Sequence, residues 1–229
     1  MEKKGLSQEG LKLIACVTML IDHIGAIFFP TLGALRIIGR LSFPIYCFLL
    51  VEGAVHTKHA LRYVLRLFVC AVISEIPHDL AFYGEISLRA FSVMVTLLVG
   101  YSMLWAMEKT NKWWLKILPI GVAMVLARVL HISYNWRGIL VIAVFALTRG
   151  KRFAWMVQAV LLTLLFWGMP SAKLAVGCFQ VPIQCLGVLA LIPIQLYSGR
   201  KLTTSRLVQW GFYLFYPAHL LALYLIRIL

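Results

Sequence analysis

Only eight of the 229 residues are acidic, against 22 lysines and arginines. Charged residues make up 13% of the chain, about half of the ~25% usual in soluble domains. A surface wetted on every side cannot be built from so few. No soluble insertion and no low-complexity tract interrupts the chain. There is no CxxC pair. Cys16, Cys47, Cys70, Cys178 and Cys185 stand alone in apolar stretches, which reads as small core residues and excludes a disulfide framework or thiolate metal site. A glycine-rich phosphate loop of GxGxxG or Walker type is missing, which argues against a nucleotide-driven pump. No internal repeat is visible, so the inverted-repeat plan of many transporters has no support.

What is abundant is apolar surface. Hydrophobic residues reach 62% and the mean hydropathy is +0.90. Soluble domains sit near 45–50% apolar residues, roughly, so lipid is the natural solvent. About 20 apolar residues make one helical span. Nine apolar segments follow one another, at roughly 10–29, 33–54, 61–83, 90–108, 113–131, 135–148, 152–169, 174–197 and 206–228. The sixth and seventh are short for a full crossing. The expectation is therefore an all-α, polytopic transmembrane helical bundle of about nine spans, with residues 1–229 forming a single integral membrane domain. Lys3 and Lys4 before an apolar run mimic a signal peptide. However, the run contains Asp22 and His23 and no small-residue cleavage site follows, so the first span is expected to be retained.

The net charge of +14 would suggest nucleic acid in a soluble protein, but here the cations lie between apolar segments. They read as a topology signal, with no nucleic-acid partner. One side collects Lys3, Lys4, Lys12, Lys58, Arg62, Arg66, Lys109, Lys112, Lys116, Arg149, Lys151, Arg152, Arg200, Lys201 and Arg206. The other collects Arg36, Arg40, Arg89, Arg128, Arg137, Lys173 and Arg227. Cations concentrate on the cytoplasmic side of membrane proteins. The N-terminus is thus expected in the cytoplasm, and the chain in a bacterial cytoplasmic (inner) membrane.

Ionisable groups inside a bilayer cost about 2.5–3.5 kcal/mol each on insertion scales, so those that persist pair or function. Asp22, Glu52, Glu75 and Asp79, half of all the acids, lie in or at the ends of the first three segments. Given the topology, Asp22 and His23 fall in the outer half of the first. Arg36 and Arg40 share a face at the outer start of the second. Glu75, His78 and Asp79, at i, i+3 and i+4, share a face at the outer end of the third. His131 and Arg137 flank an outer connection, and Tyr216 and His219 lie inside the last segment with Pro217. One outer-facing cavity should gather them. The bland alternative is a charge-paired cluster that fixes helix packing, with Arg36 and Arg40 neutralising the carboxylates. Such pairing needs no histidines, whereas a histidine held by a carboxylate is a common general base near neutral pH. At the cytoplasmic side, Glu52, Lys58, Arg62 and Arg66 read either as loop charge or as a basic mouth for a phosphorylated donor.

Several stretches resemble the TraX family of membrane proteins, associated with N-terminal acetylation of conjugative pilin. They are Thr18-Met19-Leu20-Ile21-Asp22-His23-Ile24-Gly25, Arg36 to Gly53 (RIIGRLSFPIYCFLLVEG), Ser74 to Leu80 (SEIPHDL) and Phe212 to Leu220 (FYLFYPAHL). Residues 110–205 add little to the pattern. A weaker likeness extends to the acyltransferase-three superfamily, whose first span carries a basic residue, ten residues and a catalytic histidine. Lys12 and His23 keep that spacing, with lysine where arginine is usual. Eleven residues are about three helical turns, or about 16 Å.

The resemblance implies transacylation across the membrane. Acetyl-CoA from the cytoplasm is the co-substrate, its phosphates held by the mouth around Lys58, Arg62 and Arg66. His23 is the general base, oriented by Asp22 or Glu75, and Arg36 or Arg40 stabilises the oxyanion. The acceptor is a pilin N-terminus, an amino sugar or a small amine or hydroxyl compound. No metal is expected. The rival expectations are a proton-coupled transporter or flippase using the same Asp/Glu/His cluster, and a non-catalytic assembly protein of a surface appendage.

Overall fold

The computed structural model describes residues 5–87, 90–110, 112–169, 171–176, 179–203 and 205–229. Lys3, Lys4, Arg89 and Cys178 lie outside the described residues. Helix α1 (Gln8–Ile27) starts where the Ser7 hydroxyl accepts the Gly10 amide at 3.0 Å, with Glu9 in the positive first turn. Helices α2 (Gly33–Gly39) and α3 (Ser42–His56) are joined by Arg40 and Leu41, both with right-handed helical backbone. Gly33–His56 is thus a nearly continuous apolar rod. Helix α4 (Ala60–Tyr83) stops at Gly84, whose left-handed φ of 75° a glycine adopts without Cβ strain. Then follow α5 (Val93–Glu108), α6 (Ile117–Val129) after one 3₁₀ turn, α7 (Asn135–Thr148) and α8 (Ala154–Trp167). The chain closes with α9 (Leu191–Gln195) and α10 (Arg206–Ile228).

Among the described residues three helical stretches are long and apolar enough to cross a membrane: α1, the α2–α3 rod and α10. Helix α4 is equally long but carries Arg62, Arg66, Glu75 and Asp79. Helices α7 and α8 have 14 residues each, about 21 Å, short of the ~30 Å hydrocarbon layer. Leu65, Phe68, Val72 and Ile76 of α4 point outward, as do Leu118, Val122, Val125 and Val129 of α6. Apolar belts of this extent have no place in water, and they mark the chain as a membrane protein.

One expected segment departs from the helical reading. Residues 174–197 do not form a single helix. They contribute to an antiparallel hairpin of β1 (Lys173–Val176) and β2 (Phe179–Pro182), then a 3₁₀ stretch Ile183–Ala190, then α9. Pro182 explains the break: it has no N–H, and its ring pushes Val181 into the extended region. High hydropathy alone hid this.

The core forms between α1, α3, α5 and α7, where Phe43 stacks on Tyr134 at 3.6 Å and Ile45, Cys47, Ile139 and Ile142 are buried. Helix α10 lies along α4 and α1. The α1–α2 crossing depends on glycine. A Cβ on Gly39 would collide with the Asp22 side chain, and one on Gly25 would stand 2.7 Å from Leu35 Cβ. Gly39→Ala is therefore expected to lower stability by about 1–3 kcal/mol, as overpacking does, read as a lower thermal midpoint in detergent. Gly33→Ala is the control, since nothing lies within 4 Å of its added carbon. Equal midpoints for the two variants would contradict the close crossing.

Candidate functional site

Because α1 and α10 are neighbours, His23 and His219 meet although 196 positions separate them. Their rings lie nearly parallel (4°), with His23 Nδ1 2.7 Å from His219 Nε2. His219 is buried, and its Nδ1–H donates to the Phe215 carbonyl at 2.6 Å. The edges of Phe82 and Tyr216 close on the His23 ring at 5.3 and 6.2 Å. His23 lies within electrostatic reach of Arg36, Arg40 and His78 as well.

Asp22, one residue earlier, turns away from the histidines. Arg36 Nη1 donates to its Oδ2 at 2.9 Å and to its carbonyl at 3.1 Å, and Arg40 Nη2 donates to its Oδ1. Arg40 also donates to the Arg36 carbonyl and, at 2.8 Å, to Gln184 of the 3₁₀ stretch. The charge-paired reading thus describes Asp22, Arg36 and Arg40 well. Of the two guanidiniums Arg36 keeps more open surface, with 32% of its side chain exposed against 12% for Arg40. Beside them Tyr134 stands at the start of α7 with a left-handed φ of 64°. Burial pushes its phenol up, with Arg40 pulling the other way, so it stays a protonated donor.

The acids of α4 hold the connection to α5. Glu75 accepts from the Ser92 hydroxyl at 2.6 Å and from its amide, and Asp79 accepts the Ser87 amide at 2.8 Å. His78 Nδ1 is 3.2 Å from Asp79 Oδ1, and its ring shares Phe82 with His23. Glu75, His78 and Asp79 offer atoms within 4.8 Å of one another, the spacing of a candidate cation site. Both carboxylates, however, already serve as anchors for backbone N–H groups.

A cavity of about 260 Å³ opens among the ends of α1, α3, α4 and α10 that carry Gln8, His56, Tyr63 and Gln209. Lys12, Arg66 and Lys201 stand in its wall, and Tyr46, Tyr63, Tyr197, Tyr213 and Tyr216 give it an amphipathic lining. Arg66 lies 5.3 Å over the Tyr63 ring and 5.9 Å over that of Tyr213, with its Nε buried and unpartnered. Met19 and Tyr216 also line it. Met19 is one turn before His23 on α1, and Tyr216 one turn before His219 on α10. Each of these two lining residues is thus about one helical turn, roughly 5.4 Å along its helix, from a member of the histidine pair. The rim is completed by residues 196–202, which clasp the start of α1. Leu6 and Leu196/Ser198 exchange backbone bonds, Gln8 N–H donates to the Arg200 carbonyl and Leu202 N–H to Glu9.

The structure therefore places several of these residues apart from one another. Asp22 and Glu75, expected to orient His23, are engaged with arginines and with Ser92, and the group on His23 is His219. Lys58 and Arg62 are exposed and are not among the described residues lining the cavity; Lys201 takes that place beside Lys12 and Arg66. Glu52 lines the cavity, but Arg149 Nε binds its carboxylate at 2.7 Å, a hydrogen bond that holds the guanidinium above its usual range. His131 is exposed, and Arg137 stacks over Trp136 at 4.7 Å; neither joins the cavity wall among the described residues. Tyr197 and Tyr134 went unnoticed in the sequence, and Lys201 was read only as topology charge, because no local spacing links them to the site.

The sequence profile of the family described as TraX protein matches residues 7–227. The chain is 30% identical to the probable fimbrial assembly protein FimC (serogroup H1) of Dichelobacter nodosus, over 92% of this chain and 91% of that one. It is 49% identical to an uncharacterised protein of Rickettsia prowazekii (strain Madrid E), over a 41-residue stretch covering 18% of this chain and 16% of the other. No solved structure matches.

Removing one member of a buried ion cluster leaves an uncompensated charge and costs about 3–5 kcal/mol. Asp22→Asn is expected to lower the thermal midpoint in detergent more than Glu75→Gln, which keeps an acceptor for Ser92. Adding Arg40→Gln to Asp22→Asn should restore part of the loss; strict additivity of the two single effects would contradict the coupling drawn above.

Proposed function

The chain belongs to the TraX family, and on that premise we propose that it is an acetyltransferase embedded in the bacterial inner membrane. Its substrates are acetyl-CoA from the cytoplasm and an amine or hydroxyl acceptor at the outer side. The proposal includes about nine crossings, the short α7 and α8 tilted or partial, with the N-terminus in the cytoplasm. The observation that carries it is the amphipathic cavity whose lining residues Met19 and Tyr216 stand one helical turn before His23 and His219.

At about 260 Å³ the cavity falls just below the ~300–1,000 Å³ of most ligand pockets. It suits an elongated arm better than a whole nucleotide. An acyl-pantetheine chain, with amides alternating with methylenes, fits a tyrosine-rich lining. Its phosphates would remain at the rim, where Lys12, Arg66 and Lys201 supply charge-assisted donors. Neutral His23 takes a proton from the acceptor as the acceptor nitrogen or oxygen attacks the thioester carbonyl. The tetrahedral intermediate places negative charge on the former carbonyl oxygen, for which Arg36, the less enclosed guanidinium, is the nearest charged donor class. Collapse breaks the C–S bond, and the proton on His23 passes to the departing sulfur. The similarity to a fimbrial assembly protein favours a pilin N-terminal amine as acceptor, ahead of an amino sugar or small amine.

The test is transfer from acetyl-labelled acetyl-CoA by the purified protein in liposomes, with pilin peptide as acceptor. His23→Ala should abolish transfer while leaving insertion and expression intact; substantial residual turnover would sink the role of His23. A charge-assisted hydrogen bond is worth about 1.5–3 kcal/mol, so Lys201→Gln should raise KM for acetyl-CoA at least about tenfold and leave kcat nearly unchanged. Solute or lipid movement in the absence of any acetyl donor would favour a transporter instead.

A further inference from the structure

We infer that His219 is the positioning residue for His23, and that the backbone carbonyl of Phe215, in the place of a carboxylate, sets the proton on both rings. The inference deepens the acetyltransferase reading and rests on it for its chemistry, though not for its geometry.

A carbonyl oxygen can only accept. The 2.6 Å contact between His219 Nδ1 and the Phe215 oxygen therefore puts a proton on that nitrogen. In neutral His219 the other nitrogen, Nε2, is then a lone pair. The 2.7 Å contact from His219 Nε2 to His23 Nδ1 must carry the proton of His23. This leaves His23 Nε2 bare, on the ring edge turned away from His219. The chain runs in one sense: Phe215 carbonyl, His219, His23, open lone pair. The reverse order would set two lone pairs against each other at 2.6 Å. The polar groups on the other elements around His23 are committed elsewhere or are cationic. Arg36 and Arg40 of the α2 region hold Asp22 of α1. On α4, His78 lies against Asp79, and Glu75 accepts from Ser92. Tyr216 of α10 contributes its ring edge.

A dyad of two neutral rings carries no net charge at rest. In lipid-shielded surroundings that is cheaper than a carboxylate–imidazole pair, which must keep an ion buried. During transfer the acceptor proton arrives at His23 Nε2. The proton on His23 Nδ1 can move to His219 Nε2, leaving His23 neutral and His219 the cation, its Nδ1–H still on the carbonyl. Reversing both moves returns one proton to the leaving sulfur, so the count closes.

Histidine ¹⁵N NMR of the full-length protein in nanodiscs reads the tautomers without any turnover, with His23→Gln and His219→Gln used to assign the two signals. Both rings should be protonated at Nδ1, with His23 Nε2 unprotonated, although free neutral histidine prefers a proton on Nε2. A His23 ring protonated at Nε2 in the resting protein would overturn the inference. In turnover, His219→Phe should lower kcat by about 10²–10⁴, the scale for loss of tautomer control, and move the acid limb of kcat/KM to lower pH, because the His23 imidazolium loses its acceptor. His219→Gln, whose amide oxygen can still accept, should retain activity within about tenfold of the parent. Equal losses in both variants with an unmoved acid limb would also overturn it. If the resting tautomers are as assigned but no acetyl transfer occurs with any acceptor, the dyad stands and the acetyltransferase reading falls.

Discussion

The bidentate capture of one buried carboxylate, Asp22, by Arg36 and Arg40 is the interaction on which the rest of this structure depends. It joins α1 to α2, and through Arg40 and Gln184 it reaches the 3₁₀ stretch near the far end of the chain. Each of the three ions would be costly alone in a lipid-facing bundle. Together they make a small rigid knot whose geometry tolerates no side chain at Gly39. The knot also settles the phase of α1. With Asp22 turned toward α2, the next residue is rotated about 100° around the axis, toward α10 and the waiting His219. The knot aims the imidazole without touching it.

Division of labour between the two ends of the bundle follows from the same economy of charge. Around the tyrosine-lined chamber Lys12, Arg66 and Lys201 accompany Glu9 and Glu52, each of these acids bound to a partner of its own; at the other end Asp22, Glu75 and Asp79 are each tied to an arginine or a backbone amide. The histidine pair lies one helical turn along α1 and α10 from Met19 and Tyr216 of the chamber lining. In the proposed chemistry the anionic donor and the nucleophilic acceptor never share an entrance. Tyr216 belongs to both regions, lining the chamber and contacting His23 with its ring edge.

Much of this was legible in the sequence, and the exceptions have physical causes. Segment 135–148 coincides with α7, and α1, α4 and α10 fall within a few residues of the apolar runs that announce them. The shared face of Arg36 and Arg40, and that of Glu75, His78 and Asp79, could be read from helical spacing alone. The hairpin in 173–182 could not be read from hydropathy, which averages over Pro182 and the β-branched residues around it. The partner of His23 was also out of reach, since a carboxylate is the commoner partner and the contact with His219 crosses nearly the whole chain. Lys201 was counted as loop charge because nothing local ties it to Lys12 or Arg66; only the folding of residues 196–202 against Leu6 and Gln8 brings it to the rim.

That last contact has a temporal side. The rim of the chamber is closed by a parallel bridge between Leu6 and Tyr197, and the histidine pair by a residue on α10. A nascent chain that has delivered its first four helices to the bilayer holds His23, Asp22 and both arginines, but has neither rim nor second imidazole. Both the rim and the pair are completed only by residues 196–219, which emerge later than α1 to α9. In the proposed chemistry a molecule without α10 would therefore be inert toward thioesters, and reactivity would wait for the assembled bundle.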